Sequence, residues 1–150
     1  MSALSIGSKA PQFAGVNQAG KQLQLGDYAG KKVILYFYPK DNTPGCTTQA
    51  CNLRDNYTVM QSQGYVVIGV SADDAIAHTK FIAKYELPFD LIADTDKTIC
   101  TAYGVWGPKK FMGKTYDGIT RTTFVLDENG IITDIITKVN TKEHTAQIIK

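Results

Sequence analysis

The sequence predicts an α/β protein with a mixed central sheet flanked by helices. Residues 33–38 and 65–70 are continuous apolar runs rich in β-branched and aromatic side chains. Such runs are typical of strands buried on both faces of a sheet. The segment between them has the apolar period of a helix packed on a core. Strand, helix and strand in this order predict a right-handed βαβ unit.

The helix between the two strands is predicted by a single apolar stripe. Its members are spaced by four, three, four and three residues: Cys46, Ala50, Leu53, Tyr57 and Met60. This spacing keeps one face of a helix against the sheet. Nearer the N-terminus, residues 13–25 predict a smaller hairpin.

The second half of the chain predicts the remaining elements in order. A helix is expected at residues 73–86 and a short strand at 89–93. Residues 122–126 and 131–136 flank a turn that ends in glycine, which is typical of a hairpin. A last helix is expected from about Thr141.

Length and composition are those of an ordinary globular protein. The 150 residues contain no linker or repeat, so we expect a single domain over residues 1–150. A formal net charge of +2 is too small to indicate nucleic acid or an anionic membrane as a partner. The N-terminus lacks the pattern of a secretory leader, and no apolar run approaches the ~20 residues of a membrane helix. A cytoplasmic protein is therefore expected.

A helix start lies directly after the first buried strand. Pro44 fits the first turn of a helix, and Thr43 fits its N-cap. Cys46 then falls in the first turn, where unpaired N–H groups and the helix dipole favour an anion. A thiolate is such an anion, so this position predicts a nucleophile that needs no histidine base. The alternative is that Cys46 is a small buried residue, as free cysteines often are.

Cys51 lies five positions after Cys46 on the predicted helix. Five residues of helix give a rise of ~7.5 Å and a rotation of ~140°, which sets the two Cα atoms roughly 8.6 Å apart. A disulfide spans at most ~7 Å between Cα atoms. A bridge would therefore require the first turns to unwind, and it would be strained and easily reduced. The spacing alone leaves open that Cys51 has no role.

Five further side chains are weaker candidates on sequence alone. Cys100 fits a passive buried thiol in a short helix, with a resolving role as the alternative. Arg121 begins a strand and could face the site and stabilise a thiolate, although by itself it fits a surface arginine better. The partner of Arg54 is left open, and His78 and His144 are expected at the surface.

The segment YFYPKDNTPGCTTQACNLRDNY, residues 36–57, resembles the active-site segment of the peroxiredoxins. The peroxiredoxin pattern of Pro, three residues, Thr, two residues and Cys is met by Pro39, Thr43 and Cys46. The spacing to Cys51 resembles the bacterioferritin comigratory protein, or Q-type, subfamily. The resemblance continues through nearly the whole chain, including the residues 103–107, 111–119 and 121–125.

The resemblance implies a thioredoxin-like fold without a metal or organic cofactor. It implies that Cys46 is the peroxidatic cysteine, that Thr43 and Arg121 assist it, that Pro39 shields the pocket, and that Cys51 is the resolving cysteine. Some members carry the resolving cysteine in the next helix, and here that helix has none.

The implied activity is that of a thiol-dependent peroxidase with an antioxidant role. It would reduce hydrogen peroxide and organic hydroperoxides to water or alcohol through a Cys46 sulfenic acid, which Cys51 resolves to a disulfide. A thioredoxin-like dithiol would then reduce the disulfide. The subfamily also implies a monomer or weak dimer.

Three other functions compete with this interpretation. A thioredoxin-type reductase requires Cys-x-x-Cys, which the chain lacks. A zinc module requires more ligands than two cysteines at this spacing. A redox sensor shares the first chemical step and differs only in turnover. The sequence leaves open which peroxide and which reductant are preferred.

Overall fold

The computed structural model describes residues 4–149. The N-terminal stretch in which no secretory leader is expected begins at residue 1, so its first three residues lie outside the described part. The strands in chain order are β1 (Ala14–Val16), β2 (Gln22–Gln24), β3 (Lys32–Phe37), β4 (Tyr65–Ser71), β5 (Asp90–Ala93), β6 (Trp106–Phe111), β7 (Lys114–Ile119), β8 (Thr122–Leu126) and β9 (Ile132–Ile136). The helices are α1 (Pro44–Asp55), α2 (Tyr57–Ser62), α3 (Ala75–Tyr85), α4 (Thr98–Ala102) and α5 (His144–Ile148), with a 3-10 turn at Leu25–Tyr28.

A five-stranded mixed sheet forms the centre, in the order β5-β4-β3-β8-β9. Strands β3, β4 and β5 are parallel, and β8 runs antiparallel to both β3 and β9. The predicted βαβ unit, the β8–β9 hairpin and the N-terminal β1–β2 hairpin are confirmed. The register pairs Phe37 with Thr122, so the end of β3 meets the start of β8.

Alternate side chains of the central strands enter two separate cores. Val33, Leu35 and Phe37 point to one face of the sheet, where α4 and the N-terminal hairpin pack. Ile34 and Tyr36 point to the other face, beneath the apolar sides of α1 and α3. Both faces are covered, and this explains why the strand sequences are continuously apolar.

Gly69 in β4 is required by the packing of its neighbours in the sheet. A Cβ at this position would lie 2.6 Å from Leu91 and 2.9 Å from the ring of Tyr36. No side chain fits at such distances, so the glycine allows the Tyr36 ring to lie across the adjacent strand.

The predicted continuous helix over Cys46–Met60 is wrong in one respect. The chain forms α1 and α2, separated at Asn56, whose N–H bonds to the carbonyl of Leu53, three residues back, at 3.3 Å instead of to the carbonyl four residues back. The apolar stripe nevertheless stays on one side, with Cys46 and Met60 both buried in the same core. The spacing of the apolar residues reflects the burial of one face of the segment, and burial of that face does not require a single continuous helix.

The β6–β7 hairpin was not predicted. Its two-residue turn places Met112 at φ 52° and Gly113 at φ 78°, the left-handed pair that a type I′ turn requires. Methionine is an unusual first residue for such a turn, so Gly113 was the only turn residue that the sequence offered here. Within residues 4–149, no helix is both long and apolar enough to cross a membrane.

Candidate active site

Cys46 is the third residue of α1 and is only 2% exposed. Pro44 begins the helix, Thr43 is its N-cap residue, and the first helical bond runs from the Thr47 N–H to the Thr43 carbonyl at 2.8 Å. The backbone N–H groups that precede this bond have no helical acceptor. The Thr43 hydroxyl leaves them open, because it donates to the Lys40 carbonyl at 2.9 Å. The helix start therefore offers its positive end to the sulfur.

Arg121 reaches the sulfur of Cys46 from the neighbouring strand. It stands immediately before β8, and the antiparallel pairing with β3 carries it to the start of α1. One guanidinium nitrogen, Nη2, donates to Cys46 Sγ at 3.3 Å, and the other, Nη1, donates to Gln49 Oε1 at 2.6 Å. This contact supplies a fixed positive charge to a buried sulfur. Arg121 is half-buried, so the simple surface position that fitted it on sequence alone is wrong.

Gly45 permits the approach of Arg121. A Cβ at Gly45 would lie 3.2 Å from Nη2 of the guanidinium, which is tighter than ordinary van der Waals contact. Any side chain there would press against the group that contacts Cys46. The Pro-Gly-Cys order thus provides a helix start and an open path to the sulfur.

The loop before α1 is fixed by a buried polar network around Asp41. Asp41 Oδ1 accepts a hydrogen bond from the Tyr38 hydroxyl at 2.5 Å, and Asp41 Oδ2 lies 2.6 Å from His78 Nδ1. The backbone N–H of Asp41 donates to Asp73 Oδ2 at 2.8 Å. Pro39, at the start of this loop, is half-buried. These bonds hold the loop that carries Pro39 and Thr43 against β4 and α3.

His78 is completely buried, so its expected surface position is wrong. Its Nε2 lies 2.9 Å from the Ile92 carbonyl, which can only accept, so this nitrogen carries a proton. Its Nδ1 lies 2.6 Å from Oδ2 of the Asp41 carboxylate, which makes the two side chains a buried hydrogen-bonded pair. The helical pattern located His78 on α3 but could not indicate that it faces a buried acid.

Asp41, Asp73 and His78 are the described residues whose chemistry best suits a cation. Their ligand atoms all lie within 4.8 Å of one another. These atoms already bind each other or neighbouring donors, with Asp73 Oδ2 accepting from the Ser71 hydroxyl at 2.7 Å as well. The arrangement is that of a histidine–carboxylate pair with a supporting shell, and we assign it to positioning the loop.

Two buried donors close to Cys46 have no hydrogen-bond partner among the described residues. They are the hydroxyl of Tyr36 and Nε2 of Gln49. Tyr36 packs in the same core as Cys46, and burial, followed by the charge of Cys46, raises the pKa of Tyr36 well above its ordinary value. The hydroxyl therefore keeps its proton. Unpaired buried donors are rare and often belong to functional sites.

Cys51 lies on the same unbroken helix as Cys46 and is half-buried. Both thiols are free in this form, as is Cys100. The helix is intact from Pro44 to Asp55, which is the form in which the helical spacing keeps the two sulfurs apart. The role of Cys51 stays a prediction.

Cys100 is completely buried in α4, as expected, and faces a carboxylate. Asp94 Oδ2 accepts the N–H of Cys100 at 2.8 Å, and Oδ1 accepts the N–H of Ile99 at 3.1 Å. Burial, together with the Asp94 carboxylate, raises the pKa of the Cys100 thiol far above its ordinary value. This thiol is held in its neutral form.

Two other expectations are decided by the structure. Arg54 pairs with Asp55 at 2.9 Å and also donates to the Tyr85 carbonyl at 2.7 Å. His144 is completely buried, which corrects its expected surface position, and it lies 2.8 Å from the Thr123 hydroxyl. Burial lowers the pKa of His144.

Sequence reasoning missed two residues close to Cys46, Tyr36 and Gln49, and the Asp41–His78 pair that fixes the loop before α1. Gln49 could have been found, because a residue three positions after Cys46 shares its face of a helix. The Asp41–His78 pair spans 37 positions, and nothing in the sequence links them.

Residues 6–135 match the AhpC/TSA family. A putative peroxiredoxin bcp of Coxiella burnetii is 48% identical over 146 residues, which cover 97% of both chains. The peroxiredoxin Bcp of Escherichia coli strain K12 is 44% identical over 144 residues, covering 96% of this chain and 92% of the relative.

Comparison with solved structures also finds peroxiredoxins of the Q type. Peroxiredoxin Q of Xanthomonas campestris matches with a TM-score of 0.85 at 34% identity, over 91% of this chain and 86% of that one. A PrxQ mutant of Xylella fastidiosa matches with a TM-score of 0.92 at 28% identity, over 99% and 94%. These neighbours have the thioredoxin fold, so the predicted fold class is confirmed.

Proposed function

The chain belongs to the AhpC/TSA family, on its peroxiredoxin Bcp and Q branch, and is a peroxiredoxin peroxidase; on that premise we propose that Cys46 is its peroxidatic cysteine and Cys51 its resolving cysteine. Thr43, Arg121 and Pro39 would complete the site. The single observation that carries this proposal is the 3.3 Å contact between the Arg121 guanidinium and Cys46 Sγ at the start of α1.

The first step is nucleophilic attack on the peroxide. The Cys46 thiolate attacks the terminal oxygen of ROOH and the O–O bond breaks, so the terminal OH joins the sulfur as the sulfenic acid and RO⁻ leaves. The RO⁻ takes a proton from solvent, equivalent to the one that the thiol released on ionisation, and becomes ROH. Arg121, whose Nη2 lies 3.3 Å from Cys46 Sγ, would stabilise the thiolate and the charge that develops on the departing oxygen. Gln49 holds the other arm of the guanidinium, so the charge needs no reorganisation during the reaction.

The loop before α1 would shape the substrate side of the site. Thr43 is held by its bond to the Lys40 carbonyl, and Pro39 lies half-buried at the end of β3. Both are positioned by the Asp41 network rather than by α1 alone. We assign Thr43 to orienting the peroxide and Pro39 to shielding the sulfenic acid from water.

The second step forms a disulfide. The thiol of Cys51 condenses with the Cys46 sulfenic acid, which gives an S–S bond and releases water. Both residues lie on α1, and the first turns must unwind for their sulfurs to meet. The half-buried position of Cys51 favours this assignment over Cys100, which is fully buried and neutral.

The third step is reduction by an external dithiol. Two exchange reactions with a thioredoxin-like protein would return both thiols and leave the partner as a disulfide. The substrates would include organic hydroperoxides besides hydrogen peroxide, and the structure of a Xanthomonas campestris bacterioferritin comigratory protein, 33% identical, is described for alkyl peroxide reduction activity. We further propose a cytoplasmic monomer or weak dimer that folds as one domain.

A single-turnover titration tests the assignment. Reduced protein receives one equivalent of hydrogen peroxide, the remaining thiols are counted, and the product is mapped as peptides. We expect the loss of two thiols and a peptide pair joined through Cys46 and Cys51. A stable sulfenic acid at Cys46, with Cys51 and Cys100 still free, would remove the resolving role. Retention of all three thiols would contradict the assignment of Cys46.

A further inference from the structure

Asn52, the residue after Cys51, ties α1 to the last helix of the chain. Its Oδ1 accepts the backbone N–H of Thr145 at 2.8 Å and the Thr145 hydroxyl at 2.9 Å. Its Nδ2 donates to the Lys142 carbonyl at 2.9 Å. The first turn of α5 needs acceptors for its N–H groups, and the N-cap residue Glu143 supplies none from its side chain. Asn52 therefore caps α5 from another helix.

The helix to which Asn52 is tied is itself fixed to the central sheet. The Thr123 hydroxyl on β8 donates to His144 Nε2 at 2.8 Å, while His144 Nδ1 donates to Gln147 Oε1 at 2.8 Å. Ile148 is buried in the core that also contains Cys46. The tie thus joins the middle of α1 to β8, the strand that Arg121 precedes.

Opening of α1 at its start leaves its second half without helical bonds. Each N–H in a helix uses the carbonyl four residues earlier, so the N–H groups of residues 52–55 depend on the carbonyls of residues 48–51. When residues 44–51 unwind, those bonds are lost. What then holds the second half is the burial of Leu53, the bond from Arg54 to the Tyr85 carbonyl, and the Asn52 tie.

We propose that Asn52 is the positioning residue that stops the opening of α1 at Cys51, so that the Cys46 segment moves toward a fixed Cys51. The inference rests on the Cys46–Cys51 bridge of the proposed function. The tie confines the motion to the turns that carry Cys46 and leaves α2 and α5 in place. A short moving segment keeps the local concentration of Cys51 at the sulfenic acid high.

The tie has a measurable effect on the thiol–disulfide equilibrium. In Asn52→Ala the reduced protein keeps α1 intact and loses the whole stabilising free energy of the hydrogen bonds between Asn52 and α5. The disulfide form of the variant is destabilised less, because the second half of α1 can relax by unwinding further. The disulfide form is therefore favoured relative to the reduced form, and the bridge becomes harder to reduce.

Amide hydrogen exchange by mass spectrometry, on the full chain in both redox forms, tests where the opening stops. In the parent disulfide form we expect lost protection at residues 44–55, because the N–H groups of residues 52–55 lose their acceptors, and retained protection at residues 56–62 and 145–149. In Asn52→Ala the loss should extend into residues 56–62. Loss beyond residue 55 in the parent itself would overturn the proposal.

Equilibration with dithiothreitol provides the second measurement. We expect Asn52→Ala to shift the equilibrium about 3- to 10-fold toward the disulfide, the effect of one or two hydrogen bonds. Asn52→Asp keeps the acceptor for Thr145 and should restore most of the parent equilibrium. Asn56→Ala is the matched control, since among residues 4–149 the Asn56 side chain bonds to the Asn52 carbonyl at 2.8 Å and makes no hydrogen bond to α5. Equal equilibria in parent and Asn52→Ala would refute the inference.

Failure of the proposed bridge can be told apart from failure of the tie. Peptide mapping decides whether Cys46 and Cys51 join. If they do not, native-state exchange of the reduced protein still tests Asn52. The amides of residues 48–51 should exchange more readily than those of residues 56–62 in the parent, and Asn52→Ala should remove that difference. A difference that persists in the variant would contradict the role of Asn52.

Discussion

Cys46 and Cys100 occupy the same position in two helices and are almost equally buried. Each is the third residue of its helix, and their exposed fractions are 2% and 0%. At Cys46 the nearest charge is the Arg121 guanidinium, whereas at Cys100 it is the Asp94 carboxylate. The carboxylate of Asp94 already binds the N–H groups at the start of α4, so the helix end has no positive charge left for the sulfur.

The comparison teaches that a helix start alone does not make a reactive cysteine. What decides is whether an anion other than the sulfur occupies the open N–H groups, and which charge faces the thiol. At the start of α1 the Thr43 hydroxyl donates to the Lys40 carbonyl and leaves the helical N–H groups open. Arg121, the residue before β8, contacts the sulfur of Cys46. Four measurements test this difference, in order of decreasing effect.

Cys46→Ser should abolish peroxide consumption, to below about a thousandth of the parent rate, because serine supplies no thiolate. The rate is followed as peroxide loss with excess dithiothreitol. Cys51→Ser is the control and should still undergo the first oxidation, giving a sulfenic acid at Cys46. Peroxide consumption at the parent rate in Cys46→Ser would show that another thiol is the nucleophile.

Arg121→Ala should slow the oxidation of Cys46 by about 100- to 1,000-fold, the usual effect of removing one preorganised donor from a developing charge. Stopped-flow mixing with hydrogen peroxide measures the second-order rate. Arg54→Ala is the matched control, since Arg54 lies on the same helix but pairs with Asp55. If both variants react alike, the charge beside Cys46 does not explain its reactivity.

Gln49→Met should slow the same step by about 10-fold while leaving Cys46 and Arg121 in place. Methionine fills the volume but does not accept the 2.6 Å bond from Arg121 Nη1, so the guanidinium is less well fixed. Gln49→Glu keeps an acceptor and should retain more of the parent rate than Gln49→Met. The opposite order of the two rates would exclude this positioning role.

Cys100→Ala should leave the peroxide rate within twofold of the parent and change stability instead. The raised pKa of Cys100 means that the unfolded chain loses this proton near the ordinary value of 9.0 while the folded chain keeps it. Unfolding is therefore increasingly favoured as pH rises above about 9. Melting temperatures between pH 8 and 10 should fall less steeply in Cys100→Ala. Parallel curves would show that Asp94 and burial do not hold the thiol neutral.

The sequence predicted the central sheet because strands that are buried on both faces, such as β3 and β4, consist of continuous runs of apolar residues. It predicted the position of Cys46 because Pro44 marks a helix start. It missed the β6–β7 hairpin, since the turn uses Met112 where glycine or asparagine is usual.

The partners of Cys46 were beyond sequence reasoning for a physical reason. Arg121 becomes a neighbour of Cys46 only through the antiparallel register of β8 with β3, and local patterns do not record register across strands. The expected surface positions of His78 and His144 were wrong for the same reason. Helical periodicity does not show whether a polar side chain faces a buried partner or solvent. Polar contacts between distant segments need the fold to be known first.

The bond between Arg121 and Cys46 joins residues 75 positions apart, and this separation has a consequence during synthesis. At 5–20 residues per second a ribosome adds those residues in roughly 4–15 seconds, during which the cysteine exists without its guanidinium. Under the proposed role of Arg121, the growing chain would carry Cys46 without the group that activates it. Reactivity toward peroxide would then begin only once the segment at the start of β8 has paired with β3.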